Sequence, residues 1–397
     1  MRSPQYTLSA RDVQAHTAQL CQHHLQLRDH GPKCTAGLLL TVLCYAAARI
    51  GSLSAACKAL RKAPTYTALH DALLATLPQL TELQRRVNRA LQGDLPRALR
   101  RKPQPLAIDL HLIPYHGQYL HHEDEVYRSQ AKDGTSHFHA YATAYVIRKG
   151  CRFTVALAYV RKGEALEKVI QRLLAAAVQA GVRLRYLLLD RGFWSVNVLR
   201  YLQAARYPFL MPVPCRGRKA NHPKGPGGTR VFHLRQKSGW GRYTLTNAKG
   251  RRATVSICVK CRNRRGERGK HGREALVYAY GKLTPSSYQW VKETYRTRFA
   301  IETTYRQLGQ ARIRTCTQDP VLRFLYVAVA LILRNVWVWL HWAVLAHPRR
   351  GRRRVDLDQL PFRAMLLWLQ HLAEEDLGVC HQVEAHRPVL TKGGTVG

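Results

Sequence analysis

Three acidic residues stand where carboxylates could do chemistry. Asp109 sits inside the apolar run Leu106-Ala-Ile-Asp-Leu-His-Leu-Ile113. Asp190 closes the run Leu184–Leu189, and Glu302 follows Tyr295 and Arg298 at spacings that put all three on one helical face. An acid at the mouth of a buried strand is costly to desolvate alone and calls for a metal ion or a cation as its partner. Three such groups meeting at one point could hold two divalent metals roughly 4 Å apart, which activate an attacking oxygen and stabilise a leaving one. Each also has a plainer reading. Asp190 could pair with Arg191 or cap the helix opened by Ser195, and Arg298 with Glu302 could be an exposed pair of little energetic weight. Phe299 and Ile301 beside Glu302 argue that this face approaches a core.

The elements that must position these residues follow from periodicity. Apolar-periodic segments at Leu38–Ile50, Leu53–Leu60, Tyr66–Leu77 and Thr81–Gln92 make residues 1–104 a helical region, closed by a linker over Gly93–Pro105. Its tight turns fit either a helix-turn-helix DNA reader or a plain packing bundle. Residues 105–213 then read strand, strand, strand, helix, strand, helix, strand. The strands are the Asp109 run, Phe138–Arg148, Arg152–Val160, the Asp190 run and Tyr207–Val213; the helices are Glu164–Ala180 and Val196–Ala205. Residues 214–282 are dense in Pro, Gly, Arg and Lys, with short alternating runs at Arg230–Leu234, Arg242–Leu245, Ala253–Lys260 and Ala275–Tyr280, which predicts an all-β insertion. Its charged stretch Arg262–Arg273 reads as an exposed hairpin tip, with Arg262, Arg264 and Arg265 placed for phosphates. Residues 283–346 carry a long helix over Pro285–Arg312 and an apolar helix over Val321–Ala346. Arg323, Arg334, Asn335 and His341 interrupt the latter, which favours a core helix over a membrane span. A basic helical region, 347–397, ends the chain, with an unstructured final dozen residues.

Lys and Arg total 64 against 24 Asp and Glu, a net charge of +40. Such an excess repels itself unless it meets a polyanion, so nucleic acid is the expected partner, ahead of a membrane surface. The first thirty residues carry no apolar signal region, and ten scattered cysteines read as reduced thiols, so a cytoplasmic location is expected. Cys258 and Cys261 have zinc-ligand spacing, but in a strand their side chains point to opposite faces. The acidic loop His121–Glu125 could ligate metal or simply be solvated.

Asp109 in a first strand, Asp190 in Asp-Arg-Gly-Phe after a later strand, and Glu302 in Tyr-x2-Arg-x3-Glu resemble the DDE transposases of bacterial and archaeal insertion sequences, especially the family-four group. The resemblance covers residues 105–345. It implies a ribonuclease H-like mixed α/β core, interrupted by the all-β insertion and flanked by helical regions. It implies two Mg²⁺ ions (Mn²⁺ would serve) on Asp109, Asp190 and Glu302, with Tyr295 and Arg298 on the DNA backbone. The partners implied are double-stranded DNA, as element ends and target, and a second copy in a homodimer, with no membrane. One position departs from the pattern: where the family carries a lysine seven residues after the glutamate, this chain has Gly309, and Arg306 or Arg312 could stand in. A nuclease of the same fold without strand transfer, and an inactive DNA-binding descendant, are the alternatives.

Overall fold

A computed structural model of the chain describes residues 7–117, 126–265, 271–299, 306–349 and 352–382. The acidic loop His121–Glu125, Glu302, the side chains of Arg264 and Arg265, and the final dozen residues lie outside the described residues. The helical region comprises α1 (Ala10–Leu25), α2 (Ala36–Arg49), α3 (Leu53–Ala59), α4 (Tyr66–Thr76), α5 (Leu80–Gly93) and α6 (Arg97–Arg101). Hydroxyl side chains set the starts of four of these. Ser9 closes a capping box with Asp12 ahead of α1, and Thr35, Ser52 and Thr65 accept from backbone N–H groups at the heads of α2, α3 and α4. The expected linker is therefore shorter than its composition suggested: α6 occupies its middle and the first strand begins at Gln104. A bend of 104° separates α2 from α3, and α2 is buried along most of its length against the helix Phe362–Leu377.

The sheet is built on β1 (Gln104–Pro114), which pairs antiparallel with β3 (Thr135–Val146) and parallel with β5 (Leu184–Leu189). Beyond β3 lies β4 (Thr154–Val160); beyond β5 lies β6 (Phe209–Pro212), parallel to it. The order β4-β3-β1-β5-β6, antiparallel on one side of β1 and parallel on the other, is the ribonuclease H-like arrangement that the resemblance implied. The crossovers are α7 (Leu166–Gln179) and α8 (Val196–Ala204), the latter capped by Ser195 as expected. An additional strand, β2 (Tyr127–Lys132), escaped the sequence reading; it pairs with the start of β3 and is largely exposed, so it lacks the apolar alternation of a buried strand.

The insertion does not form a second sheet. Its strands β7 (Gly239–Thr246), β8 (Arg252–Arg265) and β9 (His271–Gly281) extend the central one, because β9 pairs antiparallel with β6. The β8–β9 ladder reaches Arg265 opposite His271, so more of the charged stretch is paired strand than a hairpin tip over Arg262–Arg273 implies. The Arg230–Leu234 run is not a strand but a single helical turn, α9 (Arg230–His233), with Phe232 buried. Cys258 is buried and Cys261 lies partly exposed on β8, where its thiol meets the Arg235 carbonyl.

The helix Pro320–Trp339 crosses the core. Pro320–Val344 is long and apolar enough to span a membrane, yet 94% of its apolar window is buried inside the protein. Two of its polar interruptions are structural pins. Asn335 accepts from the Thr154 N–H and donates to the Thr154 and Leu91 carbonyls, tying β4 to α5. Arg334 donates to the Arg152 carbonyl, the Tyr145 hydroxyl and the Gln307 side chain. The basic run after this helix enters a small hairpin, β10 (His347–Arg349) with β11 (Arg352–Arg354).

Candidate active site

Asp109 and Asp190 reach one place because β1 and β5 are adjacent and parallel, with Ile108 opposite Leu189. Asp190 neither caps the following 3-10 turn Arg191–Phe193 nor forms an ion pair with Arg191 among the described residues. Both carboxylates instead face Arg298. One guanidinium nitrogen, Nη2, lies 2.8 Å from Asp109 Oδ1 and 3.7 Å from Asp190 Oδ1. The two acid oxygens are thus separated by less than the sum of those distances, within the span of roughly 7 Å that a pair of metals about 4 Å apart can bridge.

Arg298 gets there by a change of helix. The long helix expected over Pro285–Arg312 is in fact a shorter one, α10 (Tyr288–Arg296), followed by a 3-10 turn, Thr297–Phe299. The Thr297 hydroxyl bonds back to the Thr294 carbonyl, and the tightened turn directs Arg298 inward. Tyr295 was expected on the DNA backbone; the structure buries it, with its hydroxyl donating to the Leu189 carbonyl at 3.3 Å and its ring against Tyr278. Tyr295 therefore fastens α10 to the end of β5, next to Asp190.

Asp109 differs from an ordinary surface carboxylate in its electrostatics. Burial pushes Asp109 up to about 6, against the opposing pull of Arg298, and the neighbouring Asp190 adds to the rise. Its Oδ1 also accepts the Leu110 N–H at 3.0 Å. A carboxylate still this reluctant to ionise beside a guanidinium is under-neutralised, and a hard divalent cation suits a site of carboxylate oxygens. Among the described residues no third His, Cys, Asp or Glu joins these two.

Of the cations singled out in the sequence, Arg306 and Arg312 are exposed, and Arg262 is held by Glu274 at 2.7 Å on the β8–β9 hairpin. Two residues further along this face of the sheet were not singled out in the sequence as site candidates. His111 shares the face of Asp109 and is driven down to about 4 by burial, then by Arg312 and Lys132; strand alternation two residues after Asp109 was its signal. Arg323 is buried under the Tyr115 ring, and nothing local in the sequence pointed to it.

A Transposase DDE domain profile matches residues 100–335, more than half of the chain and the whole span from β1 into the core helix. The chain belongs to the DDE transposase family. No curated protein matches this transposase in sequence. Among solved structures, the piggyBac transposase synaptic complex with hairpin DNA is similar at a TM-score of 0.49 and 11% identity, over 97% of this chain and 85% of that one. At that level the likeness assigns neither residues nor partners to this transposase.

Proposed function

We propose that this transposase cuts DNA at the ends of its own mobile element and joins the freed 3′ ends to target DNA, working as a homodimer on two ends. The observation that carries this reading is the convergence of Asp109 and Asp190 on the single guanidinium of Arg298. By the motif resemblance Glu302 supplies the third carboxylate. These residues would hold two Mg²⁺ ions, which when bound lower the cost of forming the attacking oxyanion and of releasing the leaving alkoxide.

The chain's own residues divide the remaining work. Asp109, from the central strand, and Asp190, from the end of the next, orient the acidic seat; both are carried on buried strands, where small displacements are resisted. Tyr295 acts as a strut rather than a DNA contact. Arg298 holds the two carboxylates together, so the cut strand's phosphate meets an acidic pair of fixed geometry. The basic β8–β9 hairpin that carries Arg262, Arg264 and Arg265 would track the backbone without reading sequence.

The test uses DNA carrying the element's ends, with Mg²⁺. Asp109→Asn, Asp190→Asn and Glu302→Gln should each abolish cleavage while leaving DNA binding nearly intact. Strand-transfer products separate a transposase from a nuclease: cleavage without joining would favour the nuclease, and wild-type cleavage by any one variant would remove that residue from the site.

A further inference from the structure

A cavity of about 470 Å³ lies between the end of β1, the segment after Leu308 and the core helix, and its lining begins on β1 at His111, two residues beyond Asp109. The β1 register against β3 is unbroken from Leu106 to Pro114, so Asp109, His111 and Ile113 share one face. His111 and Ile113 line the cavity, and two residues along a strand is roughly 7 Å. That is of the order of the spacing between successive phosphates of a nucleic-acid strand. The space is far too small for a duplex and suits one phosphate with its sugar.

Its cations lack carboxylate partners. Arg312 lies exposed at the rim, and among the described residues no carboxylate pairs with it. Arg323 is 7% exposed; it donates to the Thr317 carbonyl and lies over the Tyr115 ring at 5.1 Å, again with no acidic partner among the described residues. A buried cation left without an anion is unfavourable, so the cavity favours an anionic guest. The rim has a further feature. Gly309–Ala311 is a 3-10 turn, and Arg312 is the extended residue that follows it. Gly309 and Arg312 both line the cavity, and a Cβ at Gly309 would meet nothing within 4 Å.

We propose that this cavity is a subsite for a single phosphate of the DNA strand beside the one held at the aspartates, gripped by Arg312 at the rim with Arg323 beneath. The proposal rests on the reading of the chain as a DNA-cutting transposase. It also makes Gly309 the opening through which the sugar–phosphate enters, and Arg312 rather than Arg306 the cation serving this part of the site.

Fluorescence anisotropy of the full chain with a fluorescein-labelled DNA duplex, titrated across salt concentrations without divalent ions, tests it. Arg312→Ala should melt like wild type, bind about tenfold more weakly at low salt, and lose about 0.9 from the slope of log affinity against log salt, one phosphate contact. Adding Gly309→Lys to Arg312→Ala should restore both, because the new ammonium reaches the same space. If wild type shows a steep slope and Arg312→Ala leaves affinity and slope unchanged, the subsite is wrong while DNA binding stands. A loss that Gly309→Lys does not repair places Arg312 on DNA outside the cavity and also overturns it. A flat slope for wild type would instead overturn the DNA reading beneath it.

Discussion

Arg298 decides the character of the site at the scale of single residues. Its side chain is 7% exposed and that of Asp109 is 16%, so their ion pair is buried, and removing one partner leaves an uncompensated charge. Arg298→Ala should therefore cost about 3–5 kcal/mol at pH 7.5 in urea unfolding, as well as cutting cleavage by about a hundredfold through lost positioning. Arg298→Lys should recover only part of the cleavage, since an ammonium lacks the planar, delocalised fork of a guanidinium and is more strongly hydrated. The stability loss should shrink at pH 5, where Asp109 is already largely protonated; a loss equal at both pH values would deny the pair its energetic role. Asp109 itself sets a pH window. Its native value of about 6 stands above the ordinary 3.8, so the folded state holds this proton more tightly than the unfolded chain. Between these values rising pH strips that proton, and the contribution to stability falls until it levels off above about 6. Melting temperatures taken from pH 4 to 7 should show a decline that Asp109→Asn flattens. A metal held at Asp109, as proposed, would compete with the same proton, so Mn²⁺ affinity should weaken about tenfold per unit below the Asp109 pKa and be flat above it; affinity independent of pH through that range would exclude Asp109 as a ligand.

At the scale of elements, the core helix joins the helical region to the sheet. Asn335 satisfies three buried backbone groups on two elements, Thr154 N–H, Thr154 C=O and Leu91 C=O. Asn335→Leu would leave all three unpaired, and a stability loss of about 3 kcal/mol or more is expected from denaturant unfolding. A loss below 1 kcal/mol would mean that β4 and α5 hold their places without this pin. The break of the expected long helix after Arg296 belongs to this scale as well. Helical periodicity continues through Tyr295, Arg298 and Glu302, but a 3-10 turn is chosen where Arg298 meets Asp109, a contact between residues 189 apart in the chain. Arg230–Leu234 failed as a strand for a related reason: a short run has no decisive period, and the burial of Phe232 against the sheet selects a helical turn.

For the whole molecule, the charge is the dominant property. A surplus of +40 on one chain implies many displaced counterions when DNA binds, so affinity should fall steeply and log-linearly with salt. A salt-insensitive affinity would argue against DNA as the principal partner. The single continuous sheet gives the charge a frame, because the basic β8–β9 hairpin and the aspartates of β1 and β5 belong to one hydrogen-bonded surface through β6.

Much of this was written locally in the chain. Apolar runs with an acid inside or at their end announced β1 and β5, Ser195 marked the start of α8, and the arginine and lysine excess pointed to nucleic acid as partner. Each of these is a short-range signal: a strand's period, a cap, a count. The partner of Arg298, the burial of Tyr295, the merging of the insertion into the central sheet and the cavity at His111, Arg312 and Arg323 were decided only by tertiary structure. They depend on which strands lie side by side and on how deeply each charge is desolvated, and neither is encoded in the spacing of residues along the chain.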